Sequence, residues 1–327
     1  MKKILLFGNF YQGNCAFELF NYLDKSNFKA VKFKRNVYFN NKTFLNKVLV
    51  HFFSQPLSAL LNINLLIKFW LVKPDIFIAI KGLNIYPSIL KLMQKKSTTF
   101  NWNLDDFFNL KNSNKRLIKC LPVFDYIISP KKELFNNYIS FGAKKLIFIE
   151  NYFLPKYHFP EIIKQKFLIT FIGSWSNKRD DYLDYLSNYH EINVFGNSWI
   201  KKNKSPNIKK FNEVKPSSYR KIVSQSHINL NFFTDENSDT SNLRLFEIPA
   251  CRGLLLSEFS HRATKIFKPN QSVIYFSDKM ELVKKVKLIL QFNKKEIDII
   301  KLNAYKNVKS HSFKNRCDEI FNSITKL

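Results

Sequence analysis

The chain has little glycine, 7 among 327 residues, and none of the seven builds a G-x-G-x-x-G fingerprint. Gly8 and Gly13 flank a turn after the first apolar run, but the Lys-Ser/Thr of a P-loop is missing. Neither glycine-rich phosphate motif is therefore present. Cysteine is also limited: Cys15, Cys120, Cys251 and Cys317 lie far apart, with no C-x-x-C pair and no His/Cys cluster. That excludes a disulfide framework or a structural zinc and fits a reducing cytoplasm. The six histidines are dispersed, without a partner at metal-ligand spacing. Long apolar runs are missing as well. Ile4-Leu5-Leu6-Phe7 ends at Gly8-Asn9, too short for a signal sequence and better read as a buried strand. The most apolar stretch, Phe44–Val72, is broken by His51, Pro56 and scattered Asn and Lys, and never reaches about 18 uninterrupted apolar residues. It reads as two buried helices of an N-terminal domain or as an interfacial patch edged by Lys42, Lys47 and Lys68.

Acidic residues are outnumbered, 25 against 53 Lys and Arg, for a formal charge of +28. The excess has two readings. One is a polyanionic partner, an anionic membrane or nucleic acid. The other is codon bias, because Lys, Asn, Ile and Phe are abundant while Gly and Ala are scarce. No concentrated Arg/Lys block and no zinc, RRM or KH signature occurs, so a nucleic-acid module is not expected.

What is present is apolar material for two cores: hydrophobic residues make up 45% of the chain. Short Ile-, Val- and Phe-rich runs recur at Lys3–Phe7, Ala30–Phe33, Asp75–Ile80, Thr98–Trp102, Tyr126–Ser129 and Leu146–Ile149. They continue at Phe167–Ile172, Ile192–Phe195, Ile228–Phe232, Leu254–Leu256 and Val273–Phe276. Runs that do not alternate suit strands covered on both faces of a parallel sheet. Helix-like segments lie between them, among them Asn14–Lys25, Ser88–Lys95, Lys131–Phe141 and Lys279–Phe292. The alternation predicts an α/β chain of two doubly wound, Rossmann-like domains. The first spans residues 1–155 and the second 166–294, with a linker around Pro155 and Pro160 and a helical, polar segment over 295–327.

Three clusters fall at strand carboxyl ends, where open α/β sheets bind ligands. In the first, Phe171-Ile172 runs into Gly173-Ser174, followed by Lys178-Arg179. Small residues let amides approach a phosphate that Arg179 neutralises, although a strand followed by Gly-Ser is a common structural turn. In the second, Arg244 and Glu247 lie one turn apart on a short helix ending at Gly253. The acid can accept both hydroxyls of a ribose while Arg244 faces phosphate; a plain surface ion pair is the alternative. Asp239 completes a D-x7-E spacing with Glu247. In the third, Asp105 or Asp106 after the Thr98–Trp102 run either takes a proton from an acceptor hydroxyl or caps a following helix. No metal-binding D-x-D accompanies them.

The run R-x-F-E-I-P-A-C-x-G-x-L-L-x-E over 244–258, ending with Pro269-Asn270 and the 273–276 strand, resembles the CgeB-like glycosyltransferases. Phe171-Ile172-Gly173-Ser174, Arg179, the Gly196 turn in Val194-Phe195-Gly196-x-x-Trp199, and Tyr219 followed by Ser226-x-Ile228-Asn229-Leu230-Asn231 keep the family order. The likeness is specific over about 167–290 and looser around Lys73-Pro74-Asp75, Lys81-Gly82 and 101–106. It implies a GT-B architecture, two Rossmann-like domains facing across a cleft, with a GT4-type C-terminal domain. It implies metal-independent transfer of a hexosyl or related sugar from a nucleotide-sugar donor to a glycan or lipid-linked hydroxyl acceptor, in surface polysaccharide or envelope glycan synthesis. No cofactor is expected beyond the donor itself. Gly173, Ser174, Arg179, Gly196, Arg244 and Glu247 would hold the donor, with Glu247 on the ribose. Asp105, Asp106 and Asp239 are the catalytic candidates, and Gly8, Gly13 and Lys81 line the acceptor side. The expected location is the cytoplasm, peripheral on the inner membrane face. The chain departs from the pattern at Asp239, where related GT4-type enzymes have glutamate, and at Arg252, where CgeB-like sequences often have glycine. A nucleotide-sugar epimerase of the same fold and a non-catalytic basic binder of anionic membrane or nucleic acid are the rival readings.

Overall fold

The computed structural model describes residues 1–39, 43–234 and 240–325, so Asp239 lies outside the described residues. The chain divides into two compact units, Met1–Glu150 and Asn151–Leu327. Residues 151–166, expected as a linker, belong to the second unit, as does the helical tail.

In the first unit six strands form one parallel sheet: β1 (Lys3–Gly8), β2 (Lys29–Lys34), β3 (Ile76–Ile80), β4 (Thr98–Trp102), β5 (Tyr126–Ser129) and β6 (Leu146–Phe148). The connections carry α1 (Cys15–Leu23), α2 (Phe44–Phe52), α3 (Ser54–Val72), α4 (Pro87–Gln94), α5 (Lys115–Ile118) and α6 (Phe135–Ser140). The order is β2-β1-β3-β4-β5-β6, so the winding reverses between β1 and β3. That crevice is where such sheets accept ligands. Local chemistry sets the helix starts: the Asn14 side chain accepts from the Ala16 amide, Thr43 from Asn46, and Pro87 opens α4.

Two expectations fail in this unit. Asp106 caps no helix; its Oδ1 accepts from the Phe108 and Asn109 amides at 2.8 and 3.3 Å, closing a turn. The next helix starts at Lys115, capped by Asn114. Helix α3 also differs from a pair of buried helices. Leu61, Leu65 and Phe69 enter the core, while Leu60, Ile63, Ile67, Trp70 and Leu71 face outward. By length and composition alone α3 could cross a membrane.

The second unit repeats the plan with β7 (Phe167–Ile172), β8 (Ile192–Phe195), β9 (Ile208–Phe211), β10 (Ser226–Asn231), β11 (Leu255–Glu258) and β12 (Ile274–Phe276). Its helices are α7 (Asn177–Ser187), α8 (Trp199–Lys202), α9 (Pro216–Ser224), α10 (Arg244–Ala250), α11 (His261–Ile266), α12 (Lys279–Gln291), α13 (Lys294–Val308) and α14 (Phe313–Thr325). The order β12-β11-β10-β7-β8-β9 is the dinucleotide-fold order, with the reversal between β7 and β10. Register lines up Val194, Phe171, Leu230, Leu256 and Ile274 in one row across the sheet, all in the same core cluster. The adjacent row, on the opposite face, is partly polar: Asn193, Thr170 and Asn229 lie in register beside Leu255. Buried Ser226 donates to Thr170 Oγ1 at 2.7 Å, and Asn229 Nδ2 donates to the Val223 carbonyl at 3.3 Å. Ile297 and Ile300 of α13 join the apolar cluster.

Candidate functional site

The reversal between β7 and β10 gathers the residues of two of the three sequence clusters. The Arg244 side chain returns to β7, where Nε donates to the Ile172 carbonyl at 3.0 Å. Asn242 ties the same segment to β10, donating to Asn231 Oδ1 at 2.9 Å and to the Phe232 carbonyl at 3.1 Å. Arg244 and Glu247 form an ion pair within the first turn of α10. Burial disfavours the Arg244 charge, but Glu247 outweighs it and raises the guanidinium above its ordinary value. The carboxylate is 9% exposed and the guanidinium side chain 32%, so the cation forms the outer edge of the pair.

His158 faces the other carboxylate oxygen, with Nε2 3.8 Å from Glu247 Oε1. Its Nδ1 accepts from the Leu154 amide at 3.1 Å, which puts the proton of the neutral ring on Nε2, toward the acid. Burial lowers the affinity of this histidine for a second proton, with Glu247 opposing. Tyr219 packs under Arg244, its ring centre 5.1 Å from the guanidinium carbon, and burial pushes its hydroxyl well above the usual range. Glu247 thus has a cation paired with it on one side and the neutral His158 ring facing it at 3.8 Å on the other. No spacing pointed to His158. It comes from residues 151–166, which a Phe153–Ser312 bridge fastens to the helical tail.

The Gly173-Ser174 turn lies beside this pair. Gly173 donates to the Phe195 carbonyl at 2.9 Å and accepts from Trp199 Nε1 at 2.8 Å. A side chain at Gly196 would place Cβ 2.0 Å from the Gly173 oxygen, so only glycine lets the β7 and β8 ends approach this closely. Ser174 is exposed, and among the described residues its amide and hydroxyl donate to no protein group. Arg179 sits in the first turn of α7 and curls back, Nη1 donating to the Ser174 carbonyl at 2.9 Å over the Phe171 ring. It braces the turn. Lys178 reaches Glu258 at 2.7 Å, and Glu258 also accepts from the Phe233 amide at 2.9 Å. That carboxylate, at the end of β11, closes the 244–258 run but was given no role from sequence.

Helix α10 ends in a turn in which Gly253 donates to the Ile248 carbonyl at 3.0 Å and Arg252 takes φ 54°. Position 252 is therefore a left-handed one, the conformation that favours glycine, and exposed Arg252 occupies it under strain.

In the first unit, Gly8 ends β1 where a Cβ would come 2.7 Å from the Cβ of Ala16, so it serves close packing of α1 on the sheet. Gly13 turns at φ 79° and donates to Glu18 Oε1 at 3.0 Å. Lys81, after β3, pairs with Asp105, after β4. Asp106 is buried in its turn. Lys81 and Asp105 are thereby brought together, whereas the two glycines are explained by local structure. Among the described residues no three His, Cys, Asp or Glu side chains converge as a metal ion requires.

Two Rossmann-like units, each with its own reversal, make a known arrangement. The fold is GT-B. Residues 177–322 match a family described as "Glycosyl transferase-like", so most of the second GT-B unit is glycosyl transferase-like in sequence. Sucrose-phosphate synthase from Thermosynechococcus elongatus superposes with a TM-score of 0.73 at 9% identity, over 100% of both chains. HepE from Anabaena, in complex with UDP-glucose, gives 0.67 at 11% identity over 100% of both. The lipopolysaccharide outer core galactosyltransferase WaaB gives 0.62 at 14% identity, over 99% of this chain and 100% of that one. At such identities the likeness is one of fold. No curated protein matches the sequence.

Proposed function

We propose that this GT-B chain transfers a sugar from a nucleoside diphosphate sugar to a hydroxyl acceptor, with the donor held at the β7/β10 reversal. The carrying observation is the Arg244–Glu247 pair, its guanidinium outermost, beside the open Ser174 amide. A diphosphate meets the guanidinium and the amide there, and the ribose hydroxyls meet the Glu247 carboxylate. Asp239 is the proposed partner of the sugar hydroxyls. In the reaction the bond from the anomeric carbon to the diphosphate oxygen breaks, and the leaving charge is met by fixed donors rather than a metal. The acceptor oxygen forms the new bond and gives its proton to a carboxylate. Asp105, paired with Lys81 but partly exposed, is the proposed base, because Asp106 is buried and its Oδ1 already accepts two amides.

A uridine diphosphate sugar is the donor to try first, since the HepE structures hold UDP, glucose and UDP-glucose. A glycan or lipid-linked acceptor in envelope glycan assembly, on the cytoplasmic side, is the proposed setting. Attachment to an anionic membrane is supported by the outward apolar residues of α3 and the charge of +28.

The test is a thermal-shift panel of UDP, GDP, dTDP and CMP compounds on the wild type and Glu247→Ala. Stabilisation by one nucleotide, weakened in the variant, supports the donor site. Turnover of the nucleotide sugar without any acceptor would mark an epimerase instead. Stabilisation by none would remove the catalytic reading and leave a basic binding protein. Flotation with anionic liposomes at low and high salt tests the membrane reading, which fails if the protein stays unbound at both.

A further inference from the structure

The first unit carries an arginine of a different kind. Arg35 follows β2 directly, and its guanidinium lies across the residues that follow β1 and β3. Nε and Nη2 donate to Asn84 Oδ1 at 2.9 and 2.7 Å, and Nη1 donates to Asn9 Oδ1 at 3.4 Å. The Phe39 ring lies 4.9 Å from the guanidinium carbon. Every one of these partners is neutral, and no carboxylate pairs with Arg35 among the described residues. Burial lowers the guanidinium to about 10, opposed only by Tyr11. A charge drawn out of water without a counter-ion is unfavourable unless something else uses it.

The surroundings are built to hold this group in place. Asn84 takes φ 72°, close behind Lys81 at 62° and Gly82 at 81°, so the loop after β3 is strained where it presents the Asn84 carboxamide. The carboxamide is clamped from behind: Nδ2 donates to Ser58 Oγ at 3.1 Å, and the Asn84 carbonyl accepts from Asn62 Nδ2 at 2.7 Å. Asn101 Nδ2 holds the Lys81 carbonyl at 2.9 Å, and Asn36 accepts the Phe10 amide at 3.0 Å, fixing the loop after β1. Three of the five N–H groups of the guanidinium are engaged; the remaining one on each terminal nitrogen has no acceptor among the described residues. Two such N–H groups suit bidentate recognition of an oxyanion.

We infer that the reversal between β1 and β3 is an oxyanion site, in which Arg35 receives a phosphate or carboxylate group of the second substrate. Calling that ligand the acceptor rests on the proposed glycosyl transfer; the anion site itself rests on the first unit alone. The acceptor is then an anionic one, such as a sugar phosphate, a phospholipid-linked sugar or a uronic acid, rather than a neutral glycan.

The experiment is calorimetric titration of the full chain, with UDP present in excess to occupy the donor site and ionic strength held constant with sodium chloride. Inorganic phosphate, glucose 6-phosphate, dihexanoyl phosphatidate, glucuronate and glucose are the titrants. The anions are expected to bind and glucose is not, with affinity at least about tenfold weaker in Arg35→Met. The tightest titrant assigns the source as sugar phosphate, lipid phosphate or carboxylate. Asn84→Asp is the second variant, which supplies the missing counter-ion in place and tolerates the left-handed backbone. It is expected to raise the melting temperature and abolish anion binding together. Equal anion affinity in wild type and Arg35→Met, or a lowered melting temperature in Asn84→Asp with anion binding intact, overturns the site. If none of UDP, GDP, dTDP and CMP gives heat while phosphate binding still depends on Arg35, the anion site stands and the glycosyl-transfer reading falls. If UDP binds while phosphate is indifferent to both variants, the anion site alone falls.

Discussion

Each unit places an arginine at the point where its strand order reverses, and the two are held in opposite ways. Arg244 has Glu247 within one helical turn, a neutral His158 behind the acid and an aromatic floor in Tyr219. Arg35 has two asparagine oxygens and an aromatic ring. The first is neutralised within the fold, so its charge contributes to stability as well as to a ligand. The second is kept charged by a scaffold that adds no counter-charge. The same topology thus supports one cation that is part of the architecture and one that is kept for a ligand.

The comparison can be broken most forcefully at the pair. Glu247→Ala leaves a cation half-buried and alone, and is expected to lose about 2–3 kcal/mol in urea unfolding. That is somewhat less than the ~3–5 kcal/mol typical of a fully buried pair, because the guanidinium keeps some water. Removal of the Arg35 charge in Arg35→Met should leave the unfolding midpoint unchanged or raised. Equal losses in the two variants would erase the distinction. Next in size is Gly196→Ala, whose Cβ would meet the Gly173 backbone at 2.0 Å. It should cost about 2 kcal/mol and abolish any nucleotide-induced thermal shift; a variant with both intact would show that the turn is adaptable.

A pH titration sharpens the role of His158. Its folded pKa lies below the ordinary 6.5, so the unfolded chain takes up the proton first as pH falls. Stability from the neutral ring is fully present above 6.5 and declines below it, by up to about 1.4 kcal/mol one unit lower. His190 and His227 are lowered too, so the measurement is the difference between wild type and His158→Gln melts at pH 7.5 and 5.5. An identical decline in both would remove His158 from the account. The smallest effect is a gain: Arg252→Gly relieves a φ of 54° and should stabilise by about 0.5–1 kcal/mol in the same urea assay.

Much of the fold was legible because strands buried on both faces are short, apolar and separated by turns. Thr98–Trp102, Tyr126–Ser129, Phe167–Ile172 and Ile192–Phe195 fall where the apolar runs predict. Strand β9 escaped notice because it is an edge strand with Lys209 and Lys210 at its centre, which no second layer forces to be apolar. Asp106 misled because an aspartate that caps a turn and one that caps a helix look alike in sequence; Asn114 was the true cap. At the site, Arg244 and Glu247 were legible because one helical turn makes them neighbours in sequence as well as in space. His158 was not, since its approach to Glu247 is created by the folding of 151–166 onto the second unit. Arg35 was one basic residue among 53, and only the neutrality of its surroundings sets it apart.

The bridge between Phe153 and Ser312 also bears on how the protein is made. The segment that brings His158 is held by backbone bonds to residues far later in the sequence: the Phe153 amide donates to the His311 carbonyl at 3.1 Å, and the Phe313 amide to the Phe153 carbonyl at 2.9 Å. During synthesis the first unit has all its strands before the second begins, and can fold early. The surroundings of Glu247 must instead wait for residues 311–313 to emerge. A polypeptide interrupted shortly before Ser312 would carry a finished anion site on one unit and an unlatched His158 on the other.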